Sequence, residues 1–166
     1  RQKIQEAVVN TWQQVSGEGG PRRPEELPPC DVAFVMSTEV EAEGLTKQLE
    51  GNVTTRCASF VEHAGRWCGR QVVIAECGLG AKAAAQATAD VIAIHRPAWV
   101  ISAGFAAALA DHLRRGHILM ADRVVDATHR ELTVGIKLDP SVLAESKGLH
   151  VGRLLTIDRL VHQPDQ

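Results

Sequence analysis

The chain has 166 residues, 45% of them apolar and 23% charged, with a formal net charge of −2. That length carries one domain with a proper core. The balanced charge, with only Arg22-Arg23 and Arg114-Arg115 adjacent among the bases, gives no electrostatic footprint for nucleic acid. No apolar run is long enough to span a bilayer and no signal peptide is visible, so no membrane partner is expected.

Arg1 to Val15 carries Ile4, Val8, Val9, Trp12 and Val15 at helical spacing, which predicts an amphipathic helix. Ser16 to Pro29, rich in Gly, Pro and charge, reads as a linker. The domain organisation expected is therefore 1–29 as helix and linker, then 30–166 as a globular domain. Asp31 to Met36 is apolar after its first residue, as in a central strand covered on both faces. Glu39 to Leu49 reads as the first helix, with Val40, Leu45 and Leu49 inward and Gly51-Asn52 as its stop. Ala58–Ala64 and Arg70–Glu76 read as a hairpin around the insert 65–69. Ala81 to His95 is the clearest helix, with Ala84, Ala87, Val91 and Ile94 on one face and Arg96-Pro97 ending it. Trp99–Ala103 reads as another buried strand and His117–Val125 as a long one. Pro140–Glu145 reads as a short helix capped by Asp139, and Val151–Ile157 as the last strand. The order argues for one mixed sheet covered by helices, an α/β fold.

Chemistry is sought where strands end in small-residue turns, because α/β sheets bind ligands at their carboxyl edge. Glu41 follows Ser37-Thr38 at the first helical turn. Thr38-x-x-Glu41 fits a capping box, in which Glu41 satisfies the Thr38 amide. A carboxylate at that edge also fits a base that activates water. Both readings stand at this level. Cys77-Gly78-Leu79-Gly80 fits a ligand-lining turn or a plain strand-to-helix turn, and lacks the features of a dinucleotide fingerprint or P-loop. Gly104-Phe105-Ala106-Ala107 fits close backbone approach to a ligand or simple packing. Cys30, Cys57, Cys68 and Cys77 show no metal-ligand spacing and read as buried thiols of a cytoplasmic protein, and the seven histidines show no paired spacing. No metal is expected. Asp122, Asp126 and Asp158 lie in or beside apolar strands and need partners.

In order and spacing, four segments resemble the nucleoside phosphorylase and 5′-methylthioadenosine/S-adenosylhomocysteine nucleosidase family: 32–42, 77–84, 97–104 and 115–122. The resemblance implies a three-layer phosphorylase/hydrolase-like fold with a mixed central sheet. It implies that Glu41 positions the attacking water. Ser37, Thr38, Gly78, Gly104, Phe105, Ala106 and Ala107 would line the substrate, and Leu160 and Val161 would fall at purine-contacting positions. The substrate implied is a small-molecule purine nucleoside and the assembly a homodimer. No cofactor is implied, although phosphate is the co-substrate if the reaction is phosphorolysis.

Three departures shape the expectation. The family's Ser-Ala-Gly-Gly turn is here Phe105-Ala106-Ala107-Ala108, the segment 126–148 is short, and the family's later Glu-Met-Glu and Ser-Asp segments have no counterpart before Gln166. Cleavage of an N-glycosidic bond needs an activated water on one face and a proton for the leaving base on the other. The sequence offers a candidate for the first role, so the expectation is hydrolysis by a longer parent and inactivity of these residues alone. Phosphorolysis is the closest alternative, disfavoured because the first turn carries glutamates and no Arg. A non-catalytic nucleoside-binding module is the second alternative, and an unrelated nucleotide-binding domain the third.

Overall fold

The apolar run Val32–Met36 forms β1, and the first sheet is laid out around it. The computed structural model describes residues 29–135 and 139–157. The expected N-terminal helix, most of the linker, Asp158, Leu160 and Val161 lie outside the described residues. Contacts divide the chain into two units, Arg1–Phe105 and Ala106–Gln166.

In the first unit β1 leads to α1 (Glu39–Thr46), then β2 (Glu50–Arg56), β3 (Val61–Trp67), β4 (Arg70–Glu76), α2 (Ala81–His95) and β5 (Trp99–Ser102). The sheet order is β2-β3-β4-β1-β5. β1 is parallel to β4 and β5, whereas β3 is antiparallel to both β2 and β4, so the sheet is mixed. Successive strand residues point to opposite faces, and the core divides accordingly. Ala33, Val35, Val73 and Ala75 gather with Ala87, Val91 and Ile94 of α2. Met36, Val72 and Ile74 gather with Ala42 and Leu49, and Leu45 packs against them. One helix per face makes three layers. Ile74 and Val91 are fully buried, and burying such a side chain contributes about 1.5–3 kcal/mol.

The turn from β4 into α2 depends on glycine. Gly78 and Gly80 stand at φ of +80° and +103°, where a Cβ is strained. α2 ends at Arg96 in the left-handed conformation, its N–H bonded to the Ile92 carbonyl. Pro97 then blocks continuation.

The second unit contains β6 (Ile118–Asp126), β7 (Glu131–Thr133), α3 (Pro140–Glu145) and β8 (Leu149–Thr156). Its sheet order is β7-β6-β8, with β6 parallel to β8 and antiparallel to β7. The Asp139 side chain caps α3 by accepting from the Ser141 amide.

Several expectations change. Among the described residues, the strands expected to form one sheet form two, β6 pairing with β7 and β8. The unexpected strand β2 contains Gly51-Asn52, which absorbs a register shift between Glu50 and Val53 instead of stopping a helix. Its residues are almost all exposed, so no apolar alternation announced it. α1 ends at Thr46, and its inward stripe is Ala42, Leu45 and then Leu49, which turns Val40 outward at 69% exposure. β3 starts at Val61, and the hairpin turn shrinks to Cys68-Gly69, both at positive φ. β5 is an exposed edge strand among the described residues, not a buried one. All four cysteines are free, but Cys68 is exposed and Cys57 half-buried; Cys30 and Cys77 are buried as expected.

Candidate active site

Glu41 stands where β1 becomes α1, and its carboxylate is held by backbone amides alone among the described residues. Oε2 accepts the N–H of Ser37 at 2.9 Å and of Thr38 at 3.1 Å. Oε1 accepts the N–H of Phe105 at 2.8 Å, from the turn that follows β5. Thr38, extended at the N-cap, accepts the Glu41 N–H with its Oγ1 at 3.4 Å, so the capping box is complete. The box accounts for the Thr38 bonds. The amides of Ser37 and Phe105 go beyond what a cap requires.

Gly104 is the close-approach residue of this arrangement. A Cβ built there would lie 2.6 Å from Glu41 Oε1 and 3.0 Å from its Cδ. The carboxylate therefore occupies the space that any other residue's side chain would fill. The turn after β4 joins the same edge: Cys77 N–H donates to the Met36 carbonyl at 2.9 Å and Gly78 N–H to the Ser37 carbonyl at 3.0 Å. Three strand ends, those of β4, β1 and β5, thus meet at the carboxyl edge of the sheet.

Ser37, Thr38, Glu41, Gly78, Gly104 and Phe105 are brought together by these bonds. Ser37, Thr38 and Glu41 are half-buried, Gly78 and Gly104 exposed, and Phe105 77% exposed. Leu79, on the Gly78 turn, is 81% exposed. Ala106 and Ala107 are exposed and open the second unit. Leu160 and Val161 lie outside the described residues.

Cys77 shares the edge but not the chemistry of a nucleophile. Burial chiefly pushes its thiol up, a backbone hydrogen bond opposes it, and the charge of Glu41 adds the smallest upward push. It stays protonated near neutral pH, and the thiolate is the reactive form. The arrangement offers a fixed carboxylate with one open side. A carboxylate has about four lone-pair sites; three are filled by N–H groups, and the remaining one can accept from a water.

Two polar clusters escaped the sequence reading. On the α2 face, Glu62 Oε2 takes the His95 Nε2 at 2.7 Å and, more weakly, the Cys57 thiol at 3.9 Å, with Glu62 and His95 both buried. Beside it buried Asp90 accepts from Ser59 at 2.5 Å and Gln86 at 3.0 Å. On the opposite face, His63 bridges Thr54 at 3.0 Å and Glu76 at 2.8 Å. Only Gln86 and Asp90, one helical turn apart, were legible as a pair; the rest are joined by strand register.

A three-layer mixed α/β unit with a carboxylate clasped at the carboxyl edge defines the class of protein. The family model for the Phosphorylase superfamily matches residues 31–162, and the chain belongs to that superfamily. Within it the chain is similar to 5′-methylthioadenosine/S-adenosylhomocysteine nucleosidases. That of Haemophilus influenzae is 32% identical over 55% of this chain and 40% of the relative. That of Maridesulfovibrio salexigens is 24% identical over 81% of this chain and 68% of the relative. Among solved structures, the Neisseria meningitidis nucleosidase in complex with methylthio-immucillin-A superposes with a TM-score of 0.70 at 23% identity, over 82% of this chain and 68% of that one. The chain thus spans two fifths of the length of the Haemophilus relative and about two thirds of the other two. No helix among the described residues is long and apolar enough to cross a membrane.

Proposed function

We propose that the chain carries the water-activating half of a purine-nucleoside hydrolase, with Glu41 as the base that orients and deprotonates the attacking water. The observation that supports this best is the clasp of three backbone N–H groups from two chain turns on one carboxylate. It fixes Glu41 to a single position and leaves one lone pair for water, as general-base catalysis requires. The relatives' names make 5′-methylthioadenosine and S-adenosylhomocysteine the first substrates to try.

Hydrolysis is favoured over phosphorolysis on charge. A phosphate held where the water sits would face the Glu41 carboxylate, and two unit charges 4 Å apart repel by about 4 kcal/mol near a protein surface. The amides that could have received the phosphate are spent on Glu41 itself. Ser37, Thr38, Gly78, Gly104 and Phe105 line the nucleoside in this reading. Ala106, Ala107, Leu160 and Val161 are kept as lining residues on the resemblance. The globular domain starts at Cys30 and follows residues 1–29, the reaction needs no cofactor, and the protein works as a cytoplasmic homodimer. Its four free thiols agree with that compartment.

No described residue is assigned the protonation of the leaving base, so in this reading the 166 residues alone release no base whereas a chain of the relatives' full length does. The test is adenine release by that full-length protein with and without phosphate. Release independent of phosphate supports hydrolysis; strict dependence on phosphate makes the enzyme a phosphorylase. One observation favours a second reading: Phe105, whose backbone N–H bonds Glu41 and whose side chain is exposed, stands where the family carries a hydroxyl residue. Nucleoside binding without any release would establish a binding module instead.

A further inference from the structure

Three histidines of the second unit meet at the start of its parallel strand pair. His117 precedes β6, His150 is the second residue of β8, and His112 lies in the segment before β6. The His150 ring stacks on His117 with centroids 4.9 Å apart, and His112 tilts against His150 at 5.4 Å. Among the described residues no group of three or more His, Cys, Asp or Glu could hold a metal ion, so ligation does not explain the cluster.

Hydrogen bonding fixes where the protons are. The backbone N–H of Arg114 donates to His117 Nδ1 at 3.3 Å, so that nitrogen presents a lone pair. His150 Nε2 lies 3.0 Å from the same nitrogen and must therefore be the donor. The ring also rests on Gly148, where a Cβ would come within 3.1 Å of His117 Cδ2. The Gly148 carbonyl takes the Ile118 N–H at 2.8 Å, the first bond tying β6 to the β8 side.

The geometry points to a proton-responsive clasp: taking up a proton at His117 Nδ1 opens the start of the β6–β8 pair. A proton there converts the shared acceptor into a donor facing two other donors, so both bonds are lost. The charged groups on the segments just before the two strands are Arg114, Arg115 and Lys147, against Asp111 and Glu145. Arg114 Nη1 already bonds the carbonyls of Asp111 and Leu113. The local balance is cationic, and further positive charge on His112 or His150 adds to the repulsion. The sign follows from linkage: the opened state binds more protons, so closure weakens as pH falls. Histidine is the side chain whose charge changes between about pH 5 and 8.

The test is residue-resolved amide hydrogen exchange on the full chain, corrected for intrinsic rates. Ile118 is read against Val134, whose N–H is held by the Asp122 carbonyl at 2.8 Å. Protection at Ile118 relative to Val134 is expected to fall about tenfold between roughly pH 7.5 and 5.5. His117→Asn keeps an acceptor near the Nδ1 position but cannot titrate, and should hold the ratio flat. His150→Gln keeps the donor without titrating, should lessen the fall, and serves if the first variant folds poorly. A flat ratio in the unaltered chain, or an unchanged fall in both variants, overturns the clasp.

Discussion

The Glu41 carboxylate accepts the Phe105 N–H at 2.8 Å across 64 positions of sequence. That bond joins the helix after β1 to the turn that follows β5, and it exists because Gly104 leaves the carboxylate room. A helix cap needs no such partner. The bond is what separates a clasped carboxylate from an ordinary first-turn glutamate.

Gly104→Ala tests the clasp. The added Cβ would lie 2.6 Å from Glu41 Oε1, so the side chain must swing away and give up Phe105. A misplacement of about 1 Å at a reacting group costs on the order of a hundredfold in rate. Turnover by the full-length protein should drop by that order while the circular dichroism spectrum is unchanged. Unaltered turnover would detach the Gly104 contact from function.

Thr38→Ala isolates the capping contribution. The variant loses the Oγ1 that accepts the Glu41 N–H but keeps the Thr38 amide that donates to Glu41. Replacing a Thr N-cap by Ala typically costs about 1 kcal/mol. Urea unfolding should show that loss, with a much smaller change in rate than Gly104→Ala produces.

His95→Leu removes the main partner of buried Glu62, leaving the weak Cys57 contact. Breaking a buried pair from one side costs about 3 kcal/mol or more. Removing both members as Glu62→Leu with His95→Leu should recover part of the loss. A loss in the double variant equal to the sum of the His95→Leu and Glu62→Leu losses would show that the pair contributes no coupling.

Alkaline pH reads the thiols of half-buried Cys57 and buried Cys30. Burial above all, then the charge and hydrogen bond of Glu62, push Cys57 from 9.0 up to about 12. Burial likewise pushes Cys30 to about 11. The folded state thus holds these protons more tightly than the unfolded chain. Their contribution is fully present below about pH 9 and is lost as pH rises toward about 12. The melting temperature should fall across that window, and less steeply in Cys57→Ser, which keeps a donor for Glu62.

The sequence was legible where local pattern decides structure. The apolar run of β1, the Ala-rich face of α2 and the Thr38-x-x-Glu41 box all use short-range periodicity or spacing, and all three are present. β2 was not legible, because its exposed residues carry no alternation and Gly51-Asn52 looked like a stop. The division into two sheets was hidden for a related reason: strand partners are chosen at long range, and β6 and β8 read like any other strands. The site was half legible. Glu41 could be placed on its turn from spacing, but the amide of Phe105 and the need for Gly104 depend on β1 and β5 being neighbours.

The central claim rests on Glu41 as the base, and Glu41→Gln tests it most directly. Glutamine keeps the shape and a carbonyl acceptor for the Ser37 and Thr38 amides, gives up the acceptor for the Phe105 N–H, and cannot take a proton from water. The measurement is adenine release from 5′-methylthioadenosine by the full-length protein and this variant, both shown folded by thermal melting. A fall of about a hundredfold or more, within the range of general-base catalysis, with near-unaltered melting is the result expected. Full activity in Glu41→Gln would contradict the account and return Glu41 to the role of a helix cap.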